Sequence, residues 1–178
     1  MIGKKRIMVF LVLFTCGALQ LHSTSFAQET PTHLMEKVKK MGAKSVVFGL
    51  WEKHGEWAKV MNGIASGQET WVELAIALYP GSDAGSATDL HDAMFQALGQ
   101  NPSYVLRMAE PTYPLSDLCG GRSDPLATYK DAFAEQERTI AAVKAVKSEE
   151  LQSKKEACLS KLEEGKGPLK RFFGISAK

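Results

Sequence analysis

Apolar positions recur at helical spacing along almost the whole chain beyond residue 29. Leu34, Val38 and Met41 mark one face of a first helix, entered through Thr30-Pro31, a capping residue followed by proline at the first helical position, and stopped at Gly42. The stretch 45–51 (SVVFGLW) is β-branched enough to read as a short strand, but its helical neighbours favour a buried helix. Trp57, Val60, Met61 and Ile64 fall at i, i+3, i+4 and i+7, with Gly67 where a helix-terminating glycine belongs. Residues 69–79 (ETWVELAIALY) are apolar nearly all round, the pattern of a helix at the centre of a bundle, and Pro80-Gly81 ends it.

Leu90, Ala93, Met94, Ala97 and Leu98 form the next stripe, closed by Gly99, and Asn101-Pro102 caps a short helix carrying Val105, Leu106 and Ala109. Residues 110–123 (EPTYPLSDLCGGRS) read as the longest loop. Asp124-Pro125 restarts a helix with Leu126, Tyr129, Phe133, Ile140 and Val143 at heptad-like spacing, interrupted only by Gln136. Carried on to Glu164 that helix would be about 60 Å long, too long for a compact domain of this size. A break is therefore expected near Ser148, where Glu149 and Glu150 suit a new first turn, followed by a face of Leu151, Lys155, Cys158 and Leu162. The basic 166–178 tail reads as poorly ordered. Short early connections favour antiparallel neighbours. The expected architecture is all-α: one domain over 28–165, a bundle of stacked antiparallel hairpins with about seven or eight helices. Trp71, Leu74, Ala75 and Leu78 share the large, large, small, large order that opens a tetratricopeptide helix, but nothing repeats it at a fixed period, so it speaks only for hairpin packing.

The first 27 residues do not belong to that pattern. Lys4, Lys5 and Arg6 precede an apolar run over 7–14 that is too short to span a bilayer, and Ser25-Phe26-Ala27 offers small residues for cleavage after Ala27. Thr15 stands before Cys16 where a lipoprotein signal carries Gly or Ala, so Cys16 is expected to leave with an ordinary signal peptide. The expected location is the periplasm, without a stable membrane anchor. The leader also carries much of the basic character. Taking its three basic residues from the chain's 22 leaves 19 against 20 acidic ones, a formal charge of −1 that argues against nucleic acid as a partner. Cys119 and Cys158 remain, and in an oxidising compartment they are expected to form one disulfide. It would close a loop of about 40 residues and stabilise the fold by roughly 4 kcal/mol.

Candidate chemistry concentrates in 78–95 (LYPGSDAGSATDLHDAMF), where Asp83, Asp89, His91 and Asp92 stand among glycines. A calcium loop counted from Asp83 would place Gly85, Ala87 and Met94 at positions that need oxygen ligands. A phosphate cradle needs an inward basic group, and none lies between Lys59 and Arg107 in the sequence. The stretch therefore reads as a helix joint: Pro80-Gly81 ends one helix, Gly81 and Gly85 supply positive φ, Ser86 or Thr88 caps the next, and the acids occupy its first turn. Asp89 is then expected to contribute only a few tenths of a kcal/mol through the helix dipole. His33, His54 and His91 form no metal-ligand motif, and no serine sits in a nucleophile elbow. Trp51, Trp57 and Trp71 read as core anchors. The functional expectation is an exported binding protein without cofactor that engages another protein, for instance an immunity or inhibitor protein facing an envelope-directed toxin or hydrolase. The competing expectation is a periplasmic hydrolase with a cleft site at Asp89, His91 and Asp92.

Overall fold

The computed structural model describes residues 29–121 and 128–172. The expected signal peptide and the Asp124-Pro125 helix start with Leu126 lie outside the described residues, which form nine α-helices and no strand.

The first four helices are α1 (Pro31–Met41), α2 (Ala43–Trp51), α3 (His54–Ala65) and α4 (Glu69–Leu78). Thr30 caps α1, its hydroxyl accepting from the His33 amide at 3.2 Å, with Pro31 in the first turn. Gly42 and Gly67 take the positive φ values, 83° and 71°, that end α1 and follow α3. The ambiguous stretch 45–51 is helical, burying Val46, Val47 and Leu50. A 3₁₀ turn (Tyr79–Gly81) then leads into α5 (Ala84–Gln100), the longest of the internal helices. Its buried stripe is Leu90, Ala93, Met94, Phe95, Ala97 and Leu98, and it packs chiefly against α3 and against α8 (Tyr129–Lys144). Gly99 lies inside α5 instead of closing it: a Cβ there would stand 3.1 Å from Thr139 Oγ1, so this glycine lets α8 approach.

Helix α6 (Pro102–Met108) is capped by Asn101, and a single turn, α7 (Leu115–Leu118), lies inside the segment read as loop. The break near Ser148 is present: α8 ends at Lys144, a 3₁₀ turn spans Glu149–Leu151, and α9 (Gln152–Phe172) returns antiparallel along α8. Gln136, the one polar interruption of the α8 stripe, is buried and donates from Nε2 to the Leu162 carbonyl of α9 at 2.6 Å. That bond offsets the cost of burying the amide. Cys119 and Cys158, both fully buried, are bonded, tying the end of α7 to α9. Helix α9 runs on to Phe172, through the first half of the tail read as poorly ordered. Lys166 pairs with Glu137 of α8 at 2.7 Å and with Glu163 at 2.6 Å, and Gly165 lies close to the Gly120 carbonyl; these contacts hold the turn in place.

Candidate functional site

Residues 79–92 are a joint, built differently from the sequence expectation. Asp83 caps α5; Ser86 and Thr88 do not. The Asp83 amide donates to Ser86 Oγ at 2.9 Å and the Ser86 amide donates back to Asp83 Oδ1 at 3.5 Å, a reciprocal capping box to which the Ser86 hydroxyl adds a bond to Asp83 Oδ1 at 2.7 Å. Hydrogen bonds from the Ser86 hydroxyl and amide, with Lys44 nearby, hold the Asp83 carboxyl below its ordinary range. Neither Gly81 nor Gly85 has positive φ. Gly81 is required for another reason: a Cβ on it would stand 2.3 Å from the Lys44 amide nitrogen and 2.4 Å from the Ala43 carbonyl carbon, at the start of α2. Gly85 faces Trp51, whose ring would stand 3.1 Å from an added Cβ.

Asp89 has a partner the sequence did not suggest. Trp57, buried on α3, donates its indole Nε1–H to Asp89 Oδ2 at 2.8 Å, and Trp51 packs edge-on against Trp57 with ring centroids 5.5 Å apart. His91 points elsewhere. At about 100° per residue, side chains two apart on a helix diverge by roughly 160°. Its Nε2 donates to the Asp117 carbonyl of α7 at 2.6 Å, and its Nδ1 lies 3.5 Å from the Asp92 carboxylate. Burial pulls the imidazole pKa down, but the Asp92 carboxylate and the Asp117 carbonyl outweigh it and the net effect is upward. With acceptors at both ring nitrogens, the imidazolium satisfies the geometry and neither neutral tautomer does. The structure thus brings His91 to Asp92 and Asp117, and Asp89 to Trp57. It does not bring Asp89, His91 and Asp92 together around a reacting atom. Among the described residues no group of three or more His, Cys, Asp or Glu side chains is arranged to hold a metal ion.

Beside this joint the surface is concave. Lys44, Val47, Phe48 and Trp51 of α2 face Pro80, Gly81, Ser82, Asp83 and Ser86, enclosing a cleft of about 280 Å³. Lys44, Phe48 and Trp51 share a helical face at i, i+4 and i+7, which explains how α2 lines one wall. The basic residue absent from the loop in sequence is therefore supplied in space by Lys44. Phe48 is 62% exposed at this rim, and Met41, at the end of α1, is 51% exposed; among the described residues these are the exposed large hydrophobic side chains. Lys44 lines the cleft beside Phe48, and Lys39 and Lys40 lie in the last turn of α1; all three are exposed, with no ion pair among the described residues, whereas Lys37 pairs with Glu29.

The sequence reading missed this surface because it assigned Met41 to the buried face of α1 and Phe48 to a buried helix. The available signal was the charge pattern: residues 37–51 hold four lysines and no acid. Comparison with family models, curated proteins and solved structures finds no match to this chain.

Proposed function

We propose that this chain is an exported helical binding protein that acts by surface complementarity, without a cofactor, on another protein. A specific form of the proposal is an immunity or inhibitor protein that covers an envelope-directed toxin or hydrolase. The observation that carries the reading is Phe48, solvent-exposed at the rim of a cleft; among the described residues only Met41 is another exposed large hydrophobic side chain. An aromatic side chain held at the surface beside a concavity is the kind of group that interaction sites use as an anchor. The Cys119–Cys158 bond, and the lack of any membrane-crossing helix among the described residues, are compatible with export. The hydrolase reading draws less support, since Asp89 is engaged by Trp57 and His91 by Asp117.

The test is a photo-crosslinking residue placed at position 48, irradiated in the producing cell, with the adduct identified by mass spectrometry. The proposal expects one discrete protein adduct, competed away by excess unlabelled chain. Purified protein is assayed in parallel for zinc content and peptidoglycan cleavage. Stoichiometric zinc or glycan cleavage abolished by His91→Ala would refute the binding reading.

A further inference from the structure

We infer that the cleft between α2 and residues 80–86 is a binding site for a free α-amino acid with an apolar side chain. The ligand's carboxylate meets Lys44, its ammonium meets Asp83, and its side chain lies on Val47, Trp51 and Pro80 beneath the Phe48 rim. The inference goes beyond the binding reading above and does not depend on it.

The two charges lining the cleft stand on opposite walls, Lys44 on α2 and Asp83 at the start of α5. Both are exposed, and no ion pair joins them among the described residues. They are nonetheless neighbours: the Asp83 carboxyl, lowered first by its Ser86 bonds, is lowered further by the Lys44 charge. Asp83 Oδ1 takes both Ser86 bonds, which leaves Oδ2 able to accept another. A lining of one cation and one anion favours neither an anionic nor a cationic ligand. Its complement is a dipole.

The apolar part of the cleft supplies a third contact. Val47 is buried, and the half-buried Trp51 ring is braced edge-on against Trp57 with centroids 5.5 Å apart. Gly85 leaves that ring its place, since an added Cβ would stand 3.1 Å from it. A free amino acid carries carboxylate, ammonium and side chain on one carbon, so it meets all three contacts at once. A fatty acid leaves Asp83 unmatched, and a simple amine leaves Lys44 unmatched. The volume, about 280 Å³, lies just under the roughly 300–1,000 Å³ of drug-sized ligand sites, which suits a molecule this small.

The experiment titrates the purified, isotope-labelled protein with L-leucine and L-phenylalanine and follows the indole N–H signals in proton–nitrogen correlation spectra. Saturable movement of the Trp51 signal is expected, while Trp71, packed against Gly63 outside the cleft, stays in place. The tighter ligand's decarboxylated amine and its deaminated acid each drop one charge and add no bulk. Each should bind about tenfold more weakly, the low end for a charge-assisted hydrogen bond. The D-enantiomer, which cannot make all three contacts together, should also bind more weakly. Lys44→Met and Asp83→Asn should each lose about tenfold as well, and Lys40→Met, outside the cleft, nothing. Asparagine keeps an acceptor for the Ser86 bonds, and thermal melts check that the variants fold. If one does not, the single-charge derivatives decide on the unaltered protein. No saturable Trp51 movement with either amino acid would overturn the inference. Equal binding of both single-charge derivatives would reduce the cleft to an apolar contact, and a loss with only one would make it an anion or a cation site. Either result overturns the inference, as does Lys40→Met matching Lys44→Met.

Discussion

Replacing Asp89 separates a structural carboxylate from a catalytic one. Trp57 is 4% exposed and donates its indole N–H to Asp89 at 2.8 Å, so Asp89→Ala leaves a buried donor without an acceptor. A hydrogen bond to a charged group is worth about 1.5–3 kcal/mol. Alanine's better helix propensity returns roughly 0.5 kcal/mol. The net expectation is a loss of about 1–2.5 kcal/mol, which for a domain of this size lowers Tm by roughly 3–8 °C. Asp89→Asn keeps a carbonyl acceptor in the same place and should lose about 1 kcal/mol or less. Trp57→Phe removes the donor, and in a double-mutant cycle with Asp89→Ala the coupling should be about 1.5–2 kcal/mol. Urea unfolding followed by far-ultraviolet circular dichroism measures all four corners without depending on tryptophan fluorescence. Coupling below about 0.5 kcal/mol would mean the two residues act independently and would refute the assignment. A catalytic Asp89 would show the opposite ranking, with Asp89→Asn abolishing activity and leaving Tm in place.

Tyr113 is fully buried and its hydroxyl has no hydrogen-bond partner among the described residues, so Tyr113→Phe should leave stability unchanged or raise it by about 1 kcal/mol in urea unfolding; a loss above about 1 kcal/mol would reveal an unseen partner. Cys158→Ser opens the loop closed across a separation of 39 residues and should cost about 4 kcal/mol, with free-thiol labelling of unreduced, denatured wild type finding neither Cys119 nor Cys158. Gly81→Ala should destabilise far more than Gly85→Ala, because the first collides with α2 backbone and the second only with the Trp51 ring; equal melting temperatures would contradict the close approach. His91 has a raised folded pKa, so its contribution is complete below the unfolded value of 6.5 and is lost as pH rises through the higher folded value. Wild-type stability should therefore decline from about pH 6.5 upward relative to His91→Gln, and parallel curves for the two proteins would exclude the clasp to Asp117.

The helical periodicity, the caps at Thr30 and Asn101, the break after Lys144 and the pairing of Cys119 with Cys158 were all legible, because each depends on residues close in sequence or on a chemistry with few alternatives. The glycines show where that legibility ends. Gly42 and Gly67 stop helices by their own backbone conformation, which local context reveals. Gly81 and Gly99 are needed because α2 and α8 come close, and a contact with a distant element leaves no local trace. Gln136 is the same case reversed: it reads as a flaw in an apolar stripe until the Leu162 carbonyl of α9 is placed opposite it.

The candidate site was illegible for a related reason. Periodicity assigns a residue to a face, but it does not say whether anything covers that face. Met41 follows the apolar pattern of α1 as well as Leu34 does, yet among the described residues no element packs over it sufficiently to bury it. Helix α2 is short and nearly all apolar, and it presents Val46, Val47 and Leu50 to the core, so Phe48 is directed outward by the helix period itself. A sequence under selection for stability alone would favour a polar residue at that outward position. The hydrophobic rule breaks at Phe48, beside Lys44 and a cleft. Departures from local consistency are expected where function imposes them, and this argument, not the cluster of acids at 83–92, directs attention to the α1–α2 corner. The acids are accounted for by the fold: Asp83 by its cap and Asp89 by Trp57, with His91 held between Asp92 and Asp117.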